Sequence, residues 1–288
     1  MLRSPIRYFG GKGKAVQYLL PLIPPHHTYV EPFGSGASLL MAKRPSPVEV
    51  YNDVDSDLVN MFRVIRDKET FPVFQRQVSL IPYAREEWRY AAETLNDDPD
   101  PIMRAVKYFV VMRQGFAGVH GAAWGMAITT SSRGIADTVN SYLGAIAQLP
   151  EIRDRLIKVQ IEHADYRKVL RQYDTPNTLF YCDPPYVPDT RKSGGYKHEM
   201  TADDHEALVT YMLTELQGSV MISGYANPIY QPLETAGWER IDRQTSCYGA
   251  ARTRASGILG DGAATEKVPR IETVWLNYPP PGTSGKLF

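Results

Sequence analysis

The tetrapeptide Asp183-Pro184-Pro185-Tyr186 combines a carboxylate, two rigid backbone positions and an aromatic ring. Each proline fixes its own φ at about −65° and has no N–H, and the residue before a proline is pushed towards extended geometry. This stiff stretch can present the Asp183 carboxylate and a main-chain carbonyl as paired acceptors for the exocyclic amine of adenine. Tyr186 can then stack on the base, which is worth roughly 1–3 kcal/mol.

The tetrapeptide follows an apolar run, Thr178-Leu179-Phe180-Tyr181, that predicts a short buried strand. Open α/β sheets bind their ligands at the carboxyl ends of strands, which is where the tetrapeptide lies. Taken alone, the tetrapeptide fits a turn as well as an active site, because 22 of the 288 residues are proline. The motifs around it must decide between these two interpretations.

Two further predicted strands end in motifs that suit a nucleotide-like ligand. Residues 28–30 lead into the glycine turn that starts at Glu31 and then into an apolar helix. Residues 48–51 lead into Asn52-Asp53, and an acid at this strand end can accept the hydroxyls of a ribose. Residues 7–14 form a glycine-rich loop without the spacing of a P-loop.

The α/β pattern is interrupted between residues 67 and 150. We predict helices there at 88–95, 102–113 and 141–149, with a long loop at 114–134. Outside this segment we predict helices at 15–22, 58–66, 166–172 and 203–216, and later strands at 158–162, 219–223, 239–244 and 273–277. The sequence therefore predicts an α/β domain made of 1–66 and 151–288, with 67–150 inserted in it.

Composition and charge limit the class of protein. No apolar run approaches the ~18 residues of a membrane span, and the amino terminus leads to no signal-peptide core. Cys182 and Cys247 form no disulfide framework and no zinc-binding spacing. We therefore predict a cytoplasmic protein without a metal.

The formal net charge is zero, from 32 basic and 32 acidic residues, which argues mildly against a nucleic-acid-binding protein. Local clustering can offset this balance, although each cluster also fits a solvated face. The clusters are Arg104, Lys107 and Arg113; Arg191, Lys192, Lys197 and His198; and Arg240, Arg243, Arg252 and Arg254.

The ordered set of motifs resembles the Dam-type DNA adenine N6-methyltransferases. The motifs are Tyr8-Phe9-Gly10-Gly11-Lys12, Glu31-Pro32-Phe33-x-Ser35-Gly36, Asn52-Asp53, an insertion, and Asp183-Pro184-Pro185-Tyr186. The resemblance covers nearly the whole chain and is weakest from 67 to 150. It implies a Rossmann-like class-I methyltransferase sheet that uses S-adenosylmethionine, with an inserted, mainly helical target-recognition domain at 67–150.

The resemblance also implies a role for each matching residue. Asp183, Pro184, Pro185 and Tyr186 would hold the target base as the catalytic residues. The cofactor would be bound by Tyr8, Gly11, Lys12, Glu31, Pro32, Phe33, Gly34, Ser35, Gly36, Asp53, Asp165, Tyr166 and Asp183. The implied DNA-binding residues, together with those suggested by the basic clusters and the long loop, are Arg7, Arg113, Phe116, His120, Trp124, Arg191, Lys192, Lys197, Arg252 and Arg254.

The implied reaction is transfer of a methyl group from S-adenosylmethionine to the N6 amine of an adenine flipped out of double-stranded DNA. We expect a monomer that needs neither a metal nor a membrane. Relatives that read GATC carry an Asn and an Arg in the loop after the position of Arg113. Ala117 and Gly121 stand in this loop here and cannot make a bidentate contact to a base edge, so GATC is not predicted.

Three other functions fit part of the sequence. Methyltransferases that act on cytosine N4, RNA adenine or protein glutamine share a Pro-Pro-aromatic corner, but they more often have Ser or Asn where this chain has Asp183. A nicotinamide-dependent oxidoreductase would fit the glycine turn, yet the third glycine of its fingerprint is missing. A non-catalytic DNA-binding protein would not need the full set of chemical residues that the chain retains.

Overall fold

The computed structural model describes residues 1–8, 10–13, 15–118, 123–187, 197–246 and 269–282. The described strands β1 to β9 are, in chain order, Thr28–Glu31, Val48–Asn52, Ser131–Ser132, Ile135–Ala136, Gln160–Glu162, Thr178–Cys182, Ser219–Tyr225, Glu239–Ser246 and Pro269–Leu276. The described helices α1 to α11 are Val16–Leu19, Ser38–Ala42, Ser56–Arg66, Thr70–Leu80, Arg85–Thr94, Pro101–Gln114, Asp137–Ala147, Leu149–Leu156, Tyr166–Tyr173, Ala202–Thr214 and Gln231–Thr235.

One large sheet organises the molecule, with the strand order β5-β2-β1-β6-β7-β9-β8. The five strands from β5 to β7 are parallel, and β9 pairs antiparallel with both β7 and β8. The carboxyl ends of the parallel strands therefore meet at one edge of the sheet. This arrangement confirms the predicted Rossmann-like α/β sheet and gathers the motifs after β1, β2, β5 and β6 at that edge.

The central strand β6 is buried at all five positions, between β1 and β7. A strand covered on both faces of a parallel sheet reads as a continuous apolar run, as Leu179, Phe180 and Tyr181 do. The same burial fixes the register, in which Val30 of β1 faces Phe180 of β6. The segment that follows β6 is thus anchored to the most buried part of the sheet.

Helix α4 was not predicted, although its apolar side chains have helical spacing. Phe71, Phe74 and Val78 lie three and four residues apart and are all buried in the core. The helix predicted at 141–149 is confirmed as far as Ala147, but its end is wrong, because α7 ends there and α8 begins at Leu149. Pro150 lies in the first turn of α8, where proline's missing N–H leaves no helical hydrogen bond unmade.

Segment 67–150 shares much of its core with the sheet. One hydrophobic cluster contains Tyr29 and Tyr51 from the strands together with Phe74, Phe109 and Tyr142 from α4, α6 and α7. A second, small cluster of Ala91, Val110 and Val111 lies within segment 67–150. The predicted division into 1–66 with 151–288 and 67–150 stays a prediction. None of the described helices has the length and apolar character required to cross a membrane.

Candidate active site

The side chain of Asn52 joins three strand ends. Its Nδ2 donates to the main-chain carbonyls of Pro32, at 2.8 Å, and Ala164, at 3.0 Å. Its Oδ1 accepts the Ala164 N–H at 2.9 Å. Because Pro32, Asn52 and Ala164 follow or end β1, β2 and β5, this one buried amide sets the geometry of the whole edge. The sequence showed Asn52 only as the residue before Asp53.

The carboxylate of Asp53 is held in a fixed position beside the glycine turn. Its Oδ2 accepts the Ser35 N–H at 2.8 Å, and its Oδ1 accepts the Asp55 N–H at 2.9 Å. Burial raises the pKa of Asp53 to about 6, although both N–H groups favour the charged form. Ser35 and Ala37 both have positive φ, so the turn bends sharply around this carboxylate.

Gly34 makes this turn possible, because a Cβ there would overlap the ring of Tyr51. The Tyr51 ring cannot move away easily: it packs edge-on against Phe62 at 4.8 Å, and its hydroxyl donates to the Ser35 carbonyl at 2.8 Å. We expect Gly34→Ala to destabilise the protein by about 1–3 kcal/mol, the usual cost of overfilling a packed core. Thermal and urea unfolding of the purified variant would measure this loss.

Gly144 supplies the matched control for that substitution. It lies inside α7 with open space around the position of a Cβ, and alanine favours a helix by roughly 0.5–1 kcal/mol over glycine. Gly144→Ala should therefore leave stability unchanged or raise it. Equal stability of the Gly34→Ala and Gly144→Ala variants would contradict the steric role of Gly34.

Glu31 is a buried carboxyl at the end of β1. Its Oε1 accepts the Tyr29 hydroxyl and the Leu40 N–H, both at 2.8 Å. Burial raises the pKa of Glu31 to about 8 against these hydrogen bonds, and the nearby charge of Asp183 adds to the rise. Asp183 follows β6, the neighbour of β1, so the two strand ends interact electrostatically.

The aromatic residues predicted to bind the cofactor after β1 and after β5 lie against one another. The rings of Phe33 and Tyr166 pack at 4.9 Å between centroids, with an angle of 35° between their planes. Asp165 caps α9 by accepting the Arg167 N–H at 2.8 Å and remains largely exposed. The predicted cofactor residues Phe33 and Tyr166, which follow β1 and β5, are thus in contact with each other.

Lys12 reaches the segment after β6 from the amino-terminal loop. Its ammonium lies 2.9 Å from Asp183 Oδ1, donates to the Tyr186 hydroxyl, and is only 5% exposed. Gly11 permits the turn that directs Lys12 inward, since its N–H donates to the Tyr8 carbonyl at 2.9 Å, and a Cβ would crowd the same oxygen. The loop and the tetrapeptide, 171 residues apart, form one site.

Glu272 of β9 completes this cluster and was not predicted from the sequence. Its Oε1 lies 3.3 Å from Lys12 Nζ. Burial opposes the charged form of Glu272, but the Lys12 charge and the hydrogen bonds from Tyr18 and Tyr186 lower its pKa overall. Burial raises the pKa of Asp183 to about 6; Lys12 opposes this rise and Glu272 adds to it.

Some of the predicted DNA-binding residues lie near the amino-terminal motif that contains Tyr8 and Lys12, and others lie outside the described part of the chain. Gly118, with φ of +67°, packs directly on the backbone of Arg7 and Tyr8, which places the loop of Phe116 beside the amino-terminal motif. The Trp124 ring lies 5.4 Å from that of Tyr83. The predicted residues His120, Gly121, Arg191, Lys192, Arg252 and Arg254 lie outside the described part of the chain.

Arg113 and Lys197 make contacts within the protein that the prediction did not contain. Arg113 is buried, and its guanidinium donates to the main-chain carbonyl of Ser141 and to its Oγ. Burial lowers the pKa of Arg113 to about 9. Lys197 lies 2.7 Å from both Asp55 and Asp57. Arg113 is thus buried against Ser141, whereas Lys197 bridges two carboxylates at an exposed position, and the DNA-binding role of each stays a prediction.

Comparison with known proteins was consistent with this geometry. A family model described as D12 class N6 adenine-specific DNA methyltransferase matches residues 8–247. The chain belongs to this family. The predicted resemblance is therefore confirmed, and the sheet is that of a class-I methyltransferase.

Two curated relatives resemble this adenine-specific DNA methyltransferase. Type II methyltransferase M1.LlaDCHI of Lactococcus lactis subsp. cremoris is 21% identical over 259 residues, which span 81% of this chain and 84% of the relative. Modification methylase StsI of Streptococcus sanguinis is 22% identical over 204 residues, or 66% of this chain and 29% of that protein. Among the described residues of the methyltransferase, no group of three or more His, Cys, Asp or Glu side chains could hold a metal ion.

Proposed function

We propose that this methyltransferase transfers a methyl group from S-adenosylmethionine to the N6 amine of an adenine that is flipped out of double-stranded DNA. The observation that carries the proposal is the position of Asp183 and Tyr186 directly beside the edge formed by Glu31 and Asp53. Asp183 follows β6 and Glu31 ends β1, and these two parallel strands are adjacent. The charge of Asp183 also raises the pKa of Glu31. A base amine and a methyl donor held at these two places would be neighbours.

The residues at the edge fit the chemical groups of the proposed cofactor. Asp53 offers a fixed carboxylate for the ribose hydroxyls, and the Phe33 and Tyr166 rings offer an apolar surface for its adenine. Glu31 lies at the turn that would surround the cationic methionine part, and its Oε2 has no hydrogen-bond partner among the described residues. When bound, S-adenosylmethionine supplies a methyl group activated by positive sulfur, and the electrons of the broken S–C bond stay on that sulfur.

The chain's own residues would position and stabilise the amine. Asp183 and the Pro184 carbonyl would accept the two N–H groups of the amine, and the Tyr186 ring would stack on the flipped base. Together these contacts offset the cost of flipping the base, which is a few kcal/mol. The nitrogen becomes positive as its bond to the methyl carbon forms, and the Asp183 carboxylate stabilises this charge in a site with little water. The surplus N6 proton is lost after the transfer.

The DNA would approach the surface formed by the amino-terminal motif and the loop of the inserted segment. Arg7 is held there by its backbone contact with Gly118, and Phe116 and Trp124 are half-buried in the same loop region. Phe116 is an apolar side chain that can enter the base stack from this position. Segment 67–150 would then act as the target-recognition part.

Binding of S-adenosylmethionine is expected to release a proton from Glu31. In the protein without cofactor, the Glu31 carboxyl has a pKa of about 8 and is mostly protonated at pH 7. A cationic ligand favours the carboxylate form. Affinity should therefore rise as the pH rises towards 8 and level off above it. Calorimetric titration at pH 7 in two buffers of different ionisation enthalpy would measure the proton released.

Glu31→Gln provides the control for this linkage, because a glutamine does not titrate. The variant should bind the cofactor more weakly. Its affinity should not rise between pH 6.5 and pH 8, the range in which Glu31, with a pKa of about 8, begins to lose its proton in the wild type. Proton uptake by the wild type, or the same pH dependence in Glu31→Gln, would contradict the role of Glu31.

The proposed function is tested by incubating the protein with unmethylated plasmid and labelled S-adenosylmethionine. We expect N6-methyladenine in one short sequence motif, detected by mass spectrometry of the nucleosides and by long-read sequencing. Label in cytosine, RNA or protein would move the activity to another amine. A lack of transfer to DNA by protein that binds the cofactor would overturn the proposal.

A further inference from the structure

Glu272 lies beside the proposed catalytic residues on a rigid part of the sheet. In β9 it is paired with Tyr225 of β7 on one side and with Arg243 of β8 on the other. Its side chain is only 15% exposed. The backbone therefore fixes where this carboxylate stands, independently of the loops that carry Lys12 and Asp183.

Both carboxylate oxygens of Glu272 are occupied by side chains of the site. Oε1 accepts the Tyr186 hydroxyl at 3.1 Å and lies 3.3 Å from Lys12 Nζ. Oε2 accepts the Tyr18 hydroxyl at 2.8 Å. The Tyr186 ring in turn packs edge-on against Tyr225 at 4.7 Å. Glu272 thus holds the tyrosine of the tetrapeptide as well as the lysine.

Lys12 lies between two carboxylates, and one of them is needed for the substrate. Its ammonium is 2.9 Å from Asp183 Oδ1, an oxygen that the amine of the base would also use. A buried ammonium that loses its only carboxylate is strongly destabilised. Glu272 removes this difficulty, because Lys12 can give up Asp183 and remain paired.

The charge of Asp183 matters for the same reason. A carboxylate neutralised by Lys12 attracts the positive charge developing on the amine less than a free one does. We propose that Glu272 is a positioning residue that holds Lys12 and the Tyr186 hydroxyl, so that the Asp183 carboxylate is left for the target amine. This inference rests on the proposed function, because it takes Asp183 as the acceptor of the amine.

Glu272→Gln tests the inference in single-turnover methylation of unmethylated plasmid with saturating S-adenosylmethionine. We expect the rate to fall about tenfold or more, which is the loss of one interaction of about 1.4 kcal/mol made in the transition state. Cofactor affinity should change less than the rate, because Lys12 stays paired with Asp183 when Glu272 is replaced. Glu239→Gln makes the same change at an exposed position of β8 and should keep the wild-type rate.

A double-mutant cycle separates positioning from a merely structural role. In a Lys12→Met background, Glu272→Gln should lower the rate less than it does in the wild type, because the lysine is already absent and only the hold on the Tyr186 hydroxyl is lost. The Glu272 charge also raises the pKa of Asp183, so the acidic limb of the rate profile should move to lower pH in Glu272→Gln. Fully additive losses, or an unmoved limb, would overturn the inference.

Two more variants keep the test decisive if Glu272→Gln folds poorly. Glu272→Asp retains the charge and should recover part of the rate. Tyr18→Phe removes one hydrogen bond to Glu272 and should cause a smaller loss in the same direction. If the wild type methylates adenine while these variants and Glu272→Gln keep its rate, only this inference is wrong. If the wild type methylates no adenine, the proposed function itself is wrong.

Discussion

Asp183→Asn is expected to lower the rate of methyl transfer by on the order of 10²–10³-fold, the range seen when one group that stabilises developing charge is removed from an active site. The amide keeps the shape of the side chain and one acceptor oxygen, but it loses the negative charge. The positive nitrogen formed during transfer would then lack its counter-charge in a buried site. Single-turnover kinetics with saturating cofactor and plasmid DNA would measure the loss.

DNA binding should change little in the same variant. Phosphate contacts dominate DNA affinity, and in the proposed function Asp183 contacts only the flipped base, so binding at a fixed salt concentration should stay within about threefold. Asp154→Asn, at a position on α8 whose side chain is 72% exposed, is the matched control and should keep full activity. Near-normal turnover in Asp183→Asn would remove this residue from the catalytic role.

Asp53→Ala is expected to weaken binding of S-adenosylmethionine by about 10²-fold. Hydrogen bonds to a charged group contribute roughly 1.5–3 kcal/mol each, and the ribose offers two hydroxyls. Part of the loss would come from the turn itself, because the Ser35 N–H would lose its acceptor. Calorimetry would give the affinity, and turnover at saturating cofactor would give the effect on chemistry.

Turnover at saturating cofactor should change little in Asp53→Ala. Contacts to the ribose are the same before and during methyl transfer, so their loss raises KM without lowering kcat. Asp53→Asn retains one acceptor oxygen and should fall between the wild type and the alanine variant in affinity. A large fall in kcat with an unchanged KM would show that Asp53 acts on the reaction and not on cofactor binding.

The parallel part of the fold could be predicted from the sequence because its signals are local. Buried strands such as β6 are continuous apolar runs, and the chemical motifs follow them directly in the chain. Helix α4 was missed although Phe71, Phe74 and Val78 have helical spacing. The boundary between α7 and α8 was missed because a proline near the end of a predicted helix can instead lie in the first turn of the next helix, as Pro150 does in α8.

The candidate site could be predicted only where its residues stand in motifs. Glu272 was missed because an acid between Ile271 and Thr273 is typical of the solvent face of an antiparallel strand. Glu272 lies near Lys12 because β9 is placed next to β7 in the strand order β7-β9-β8. No local pattern carries that information, since the partners of Glu272 are Lys12 and Tyr18 near the amino terminus and Tyr186 after β6.

The DNA-binding roles predicted for Arg113 and Lys197 stay predictions, and both side chains also have partners within the protein. Arg113 and Lys197 are charged residues next to predicted binding segments, which suggested contacts with DNA. Their partners, Ser141 and the pair Asp55 and Asp57, are between 28 and 142 residues away in the chain. A charge that is satisfied within the protein cannot be distinguished by sequence from one that is free for a ligand.

The position of β9 between β7 and β8 has a consequence for the protein during its synthesis. Among the described strands, those that have emerged from the ribosome as far as β8 include no partner for the open edge of β7, because β8 pairs with β9 and β9 pairs with β7. Such an edge is a template for unwanted association, and the nascent chain also lacks Glu272. The step that closes the sheet would thus also complete the proposed active site, so a prematurely terminated chain would be prone to aggregation and would lack Glu272.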